Sequence, residues 1–342
     1  MSQGANAPKA NETYINRKVV HRMGVWDSKN EEIHPEYRQI NPSFELNETQ
    51  FFGFSVPEAR IHALMYTWYH PNLELISSGV FVAQGIRHIH PGLDIQDYRS
   101  YLPASELKGS YYSYTTSGNY SVEVIEPGVK FRTTYLDKER NSSFDVVHTA
   151  MHPPCVWSSD VHLEQPMKTK GELVVRGKRY DVDGTHVRDR SWGENRTEMP
   201  RNIPPITWMT GVFDDGFCFH ATAFDSPSLN PIWKDHFTMA EDDTLRFGWV
   251  IVDGKQAAVV SCRKLTRYDS HIFPTHVDLE LTDEHGRVFK MSGETEVAFV
   301  MPAWPNCRWP ICGTRWTTSK GVSGWGDVQD GQWTDFLLAA AK

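Results

Sequence analysis

Apolar residues in this chain recur mostly at every second position, and the runs that show this are punctuated by turn dipeptides. Such alternation is the signature of half-buried β-strands. The dipeptides Pro127-Gly128, Arg176-Gly177, Asp215-Gly216, Asp253-Gly254 and His285-Gly286 each separate two alternating runs, which predicts hairpins. The expected arms pair 121–125 with 130–135, 172–175 with 180–187, 208–213 with 217–224, 247–252 with 257–263, and 277–282 with 288–293. An earlier strand pair is expected over 63–70 and 79–85. Helical periodicity is nearly absent; short helices are expected over 57–62, around 94–101 and from Asp335 onward. Hairpins at this spacing predict an all-β protein of two tandem antiparallel barrel or sandwich domains. The breakers Pro200, Pro204 and Pro205 mark 197–205 as the linker. The division is therefore a polar lead over 1–44, a first β domain over 45–199 and a second over 200–342.

Composition narrows the function classes. With 342 residues, either domain can bury a substantial core. A net charge of -8, with Lys and Arg scattered, argues against a nucleic-acid partner. The aromatic share is 12%, with 12 Trp, which suits an interior that receives apolar or ring-bearing ligands. No run approaches the roughly 20 apolar residues of a membrane span. The N-terminus lacks an apolar signal-peptide core, and five cysteines are too few and too odd in number for a disulfide scaffold. Cytoplasmic residence is the default expectation, although Asn11, Asn47, Asn119, Asn141 and Asn195 head glycosylation sequons. A homodimer is compatible with the chain.

Candidate chemistry gathers on two neighbouring strands. In Arg188-Asp189-Arg190-Ser191-Trp192-Gly193, alternation puts Val187, Asp189 and Ser191 on one face and His186, Arg188 and Arg190 on the other. If the first face looks into a barrel, Asp189 is a carboxyl in an apolar cavity, with a raised pKa and a proton to donate. The alternative is an Arg-Asp-Arg ion ladder closing a barrel end, with Trp192 as a plug. Upstream, His162 and Glu164 share a face, a pair that can hold a proton, fix a water or supply metal ligands. Tyr66, Trp68 and His70 form an aromatic stripe that is either core or ligand wall, and His220 sits in the arm 217–224. His88-Ile89-His90 and the Cys307/Cys312 pair match no chelating spacing, so no metal is expected. No nucleotide-binding loop or Gly-x-Ser-x-Gly elbow is present, and no cofactor is expected.

The run from His162-Leu163-Glu164-Gln165 through Gly171 and Gly177 to Gly184-Thr185-His186-Val187-Arg188-Asp189-Arg190-Ser191-Trp192-Gly193 resembles the lipocalin-like proteins related to carotenoid 1,2-hydratase. Phe51-Phe52-Gly53-Phe54 with Pro57-Glu58-Ala59, and the block 123–153, extend the resemblance over most of the chain from about residue 45. Tocopherol cyclase, fungal Diels-Alderase-type cyclases and kievitone hydratase are similar in fold. The resemblance places the family's acid-base His on His162 and its Asp on Asp189. The chain carries Glu164 where that family has Trp and Val187 where it has Tyr. It thus implies a cofactor-independent hydratase or dehydratase that adds or removes water at a C=C bond of a prenyl, terpenoid or polycyclic substrate. Asp189, Glu164 and His162 would be catalytic, Tyr66, Trp68, Trp192, Trp208 and His220 would contact substrate, and Arg188, Arg190 and Gly193 would brace the motif. A cyclase or isomerase, or a non-catalytic carrier of hydrophobic ligands, are the other readings of the same pocket.

Overall fold

The computed structural model describes residues 21–32, 44–89, 92–116, 118–157, 161–193, 203–230, 236–237, 239–302 and 307–340. The first half forms β1 (Asn47–Val56), β2 (Ile61–His70), β3 (Leu75–Gln84), β4 (Ile95–Pro103), β5 (Lys108–Ser110) and β6 (Ser113–Thr116). It continues with β7 (Tyr120–Glu126), β8 (Lys130–Asp137), β9 (Ser142–Ala150), β10 (Cys155–Val156), β11 (His162–Val175) and β12 (Lys178–Gly193). These twelve strands make one antiparallel sheet in the order β4-β3-β2-β1-β12-β11-β9-β8-β7-β6-β5, with β10 added to β11. The second half supplies β13 (Ile206–Phe213), β14 (Cys218–Ala223), β15 (Leu245–Val252), β16 (Lys255–Tyr268), β17 (Pro274–Asp283), β18 (Val288–Val300), β19 (Pro310–Thr318) and β20 (Ser323–Gly331). They close into an eight-stranded barrel through the β13–β20 pairing.

The fold is all-β and lipocalin-like, a curled sheet followed by a closed barrel. The hairpins fall where turn chemistry allows: at Arg176-Gly177 and Asp253-Gly254 both residues take positive φ, the type I′ geometry whose twist matches the flanking strands. One element differs from expectation. Residues 95–103 are strand β4, not a helix, because their backbone completes the sheet edge beside β3. Pro57–Ala59 is a single 3-10 turn, and the C-terminal helix spans Thr334–Ala340. Most of the expected linker, 197–202, lies outside the described residues; the sheet ends at Gly193 and the barrel starts at Ile206.

Side-chain alternation sorts the interior into layers. Met209, Phe219, Val250, Val259, Leu281, Met291, Trp316 and Val328, with others, form a cluster drawn from all eight barrel strands, so this is the lumen. It also holds a buried ion pair, Lys264 to Asp225 at 2.5 Å, tied to Thr207 and Thr266. The concave face of the sheet carries its own core, including Phe52, Phe54, Tyr120, Phe131, Phe144 and Leu173. A third cluster joins the two halves: Phe51, Leu64, Tyr66, Trp68 and Val187 of the sheet pack against Trp208, Phe247, Trp249, Val297 and Trp325 of the barrel. The back of the sheet thus rests on the outer wall of the barrel. The aromatic excess is spent largely on this seam.

Candidate functional site between sheet and barrel

The face that carries Val187 and Asp189 looks onto the barrel's outer wall, and not into a lumen as the sequence pattern suggested. Register fixes the neighbours: Glu164 pairs with Asp189 and His162 with Ser191, so the His162/Glu164 pair and Asp189 emerge together from adjacent strands. Opposite them, β13, β14 and β15 present Trp208, His220 and Trp249, whose alternate positions fill the lumen.

Glu164 is fully buried at the centre of this arrangement. Trp157 donates its indole N–H to both carboxyl oxygens, at 2.8 and 2.9 Å. Trp208 Nε1 lies 3.4 Å from Oε1 and Trp249 Nε1 lies 3.3 Å from Oε2. The Nε2 atoms of His162 and His220 each approach Oε1 to 3.1 Å. His162 in turn stands 3.9 Å from Asp189. Indole N–H groups only donate, so they hold the carboxyl oxygens as acceptors; a carboxyl proton, when present, is directed at an imidazole. Trp157 is stacked between functional layers, 4.5 Å from the His162 ring and 4.5 Å from Phe247.

Burial raises the Glu164 pKa, against the opposing pull of His220 and the three indole donors. Burial also lowers His220 to about 4, which keeps its imidazole neutral at ordinary pH. The site therefore pairs a carboxyl whose pKa burial raises with a neutral imidazole beside it. Such an arrangement can donate a proton, take it back and exchange it with either imidazole. His162, Asp189 and Trp208 each retain about 7% exposure and Trp157 is half-buried, whereas Glu164 has none, so the carboxyl lies on the inner side of the cluster.

The structure brings five of the sequence candidates together: Glu164, His162, Asp189, Trp208 and His220. Tyr66 and Trp68 lie in the same seam, their rings 6.5 Å apart, and Trp68 stacks on His70 at 4.8 Å. Trp192 does not join them; it packs with Val156 and Leu163 on the opposite face of the sheet, because its parity along β12 is opposite to Asp189. The arginines form no ladder with Asp189 for their carboxylate partners. Arg188 makes a bidentate pair with Glu31 and bonds Gln165, while Arg190 pairs with Glu48 and bonds the Thr49 carbonyl. Their guanidinium groups lie over Phe131 and Tyr111, and Gly193 ends β12 opposite Asn47 with φ 90. His88 stacks on His271 of the barrel at 4.2 Å, while His90 lies outside the described residues. Cys307 and Cys312 are free thiols.

Sequence reasoning missed Trp157 and Trp249. Trp249 has a signal, since it alternates with lumen-facing Val250 in an expected arm; Trp157 follows a two-residue strand and has none. A separate cavity of about 320 Å³, lined by Arg263, Asp278, Lys290, Met291 and Thr317 among others, is not shared by any of the residues touching Glu164. No described helix is long and apolar enough to cross a membrane.

Fold and seam define a class, the lipocalin-like proteins in which a curled sheet is backed by a closed barrel. Within it, the chain belongs to the family described as "Domain of unknown function (DUF7064)", whose model matches residues 33–335. Among solved structures it is similar to a protein from Nitrosomonas europaea designated an AttH candidate, at 12% identity and a TM-score of 0.59, over 93% of this chain and 98% of that one. It is likewise similar to kievitone hydratase from Nectria haematococca, at 16% identity and a TM-score of 0.53, over 94% of this chain and 97% of that one. No curated protein matches the sequence.

Proposed function

We propose that this protein is a cofactor-independent hydratase or dehydratase acting at a C=C bond of a hydrophobic prenyl or terpenoid substrate. The observation that carries the reading is Glu164: a fully buried carboxyl with a raised pKa, ringed by three indole N–H groups and 3.1 Å from two imidazoles. Likeness in fold to a protein named for hydration supports it. In the hydration direction, protonated Glu164 gives its proton to the less substituted alkene carbon and the π electrons leave a tertiary cation. The Glu164 carboxylate left behind, together with the aromatic rings that line the seam, stabilises that cation. Water on the His162/Asp189 side attacks it, and His162 takes the water's proton. The 3.1 Å contact from His162 to Glu164 returns that proton to the acid, so the cycle closes without an external reagent. Glu164 is favoured over Asp189 as the acid, because it is the more deeply buried of the two. Tyr66 and Trp68 extend the apolar seam along which a substrate chain would lie.

The test is turnover of prenylated phenols and acyclic terpenoid alkenes in heavy-oxygen water. A hydratase incorporates the label into product, whereas unlabelled product means isomerisation or cyclisation, and binding without product means a carrier. For a hydratase, Glu164→Gln is expected to lower kcat by roughly 10²- to 10⁴-fold. Unchanged turnover in a folded Glu164→Gln protein rejects Glu164 as the acid.

A further inference from the structure

A second cluster of titratable side chains lies in the seam, apart from Glu164 and unused by the chemistry above. His62 on β2, His186 on β12 and Asp327 on β20 converge there, and each is essentially fully buried. His62 Nε2 stands 3.2 Å from Asp327 Oδ1, and His186 Nε2 stands 3.2 Å from Asp327 Oδ2. All three ligating atoms fall within 4.8 Å of one another.

Two features distinguish this cluster from an ordinary buried ion pair. First, the contacts are close but misaligned: His62 Nε2, both ring nitrogens of His186 and Asp327 Oδ1 lack a hydrogen bond of proper geometry although all are inaccessible to solvent. Buried polar atoms are rarely left so. Two imidazoles and a carboxylate buried together with these atoms unsatisfied are the donors a cation requires. Tetrahedral ligands at 2.0–2.1 Å from zinc are separated by about 3.3 Å; the two imidazoles stand close to that distance from different oxygens of Asp327, and one ligand atom from each residue falls within 4.8 Å of the others. Second, the outer partners suit ligation. Ser55 Oγ lies 2.9 Å from His62 Nδ1 and accepts the indole N–H of Trp325 at 2.7 Å. With one lone pair so occupied, the hydroxyl can accept from Nδ1–H, the tautomer that frees Nε2 for a metal. Gln329 donates to Asp327 Oδ2 at 3.3 Å, holding the carboxylate in place.

We propose that His62, His186 and Asp327 bind one divalent transition-metal ion of the zinc class, which clamps the curled sheet to the barrel. Two neutral imidazoles and one carboxylate are a borderline donor set suited to zinc or cobalt and ill suited to calcium or magnesium. Three protein ligands leave a fourth position for water or hydroxide. Two ligands come from the sheet and one from the barrel, so binding is linked to docking of the two halves.

The experiment is metal analysis of the full chain produced in zinc- or cobalt-supplemented medium and then freed of loose metal by gel filtration. Wild type is expected to retain about one equivalent, the cobalt form to show the ligand-field bands of a four-coordinate site, and Asp327→Asn or His62→Gln to retain under about a tenth of that. His220→Gln, at the other cluster, is expected to retain the full equivalent. Wild type without stoichiometric metal overturns the proposal, as does equal retention by wild type and a folded Asp327→Asn. If the ligand variants fail to fold, wild type alone decides: its stoichiometry together with the cobalt spectrum supports the site, and absence of either rejects it.

Discussion

At the residue scale, the candidate acid is defined by opposing influences. Burial pushes the Glu164 pKa up, and the indole N–H groups of Trp157, Trp249 and Trp208 pull it down by favouring the ionised form. If the reaction needs the protonated acid, kcat falls as pH rises through the Glu164 value. Trp157→Phe keeps a ring against His162 and Phe247 but removes the closest donor, the one N–H shared by both carboxyl oxygens, so Glu164 should rise further. The alkaline limb of kcat against pH is therefore expected to move upward in Trp157→Phe. A downward shift contradicts the assignment of Glu164 as acid. Strand alternation was enough to put His162 with Glu164, and Asp189 with Val187; that the two sets stand side by side was implied by the family resemblance and is fixed by the β11–β12 register. Their indole partners were not legible in the sequence, since contact between β11 and β13–β15 has no local pattern to announce it.

At the element scale, the informative departure is His186. Alternation along β12 assigns it to the concave face with Arg188 and Arg190, yet its ring reaches Asp327 and lies 5.2 Å from Phe51, both in the seam. Pairing between β1 and β12 runs only from Asn47–Gly193 to Phe51–Asp189, and beyond it the imidazole passes the backbone of Gly53. A Cβ at Gly53 would stand 2.2 Å from His186 Nε2 and 2.8 Å from the Ala63 carbonyl oxygen. Gly53→Ala is therefore expected to destabilise the protein by about 1–3 kcal/mol, the usual penalty of overpacking. A denaturation double-mutant cycle checks the cause: the loss should shrink in a His186→Ala background. An equal loss in both backgrounds would place the strain at Ala63 instead. The glycine was visible in Phe51-Phe52-Gly53-Phe54; the ring it makes way for, 133 positions on in the chain, was not.

At the scale of the whole molecule, the seam joins the two halves, and histidines buried in the seam and in the core of the sheet set the response to acid. Burial holds His70 and His220 at about 4 and His148 at about 3, against an ordinary value of 6.5. The folded state therefore refuses protons that the unfolded chain accepts below 6.5. Their penalty is absent above pH 6.5 and grows as pH falls toward 4. Glu164 and Asp330, with raised values, act in the opposite sense just above the ordinary carboxylate range but are fewer. Tm is expected to drop by on the order of 5–10 °C between pH 7 and pH 4.5, as calorimetry would record. A flat profile would mean that these histidines are hydrated in solution.

The sequence by itself determined the strands, most hairpins and which side chains share a strand face, because those follow from a two-residue period and local turn chemistry. It could not determine what each face meets. A period-two pattern reads identically whether a face lines a lumen or abuts a neighbouring sheet. Only the tertiary structure decided that Asp189 and Glu164 look onto the outer wall of the barrel, that Trp208, Trp249 and His220 close around Glu164, and that His62, His186 and Asp327 meet. Those encounters join residues from strands far apart in the chain. Packing of one complete sheet against another brings them together, and no interval in the sequence encodes it.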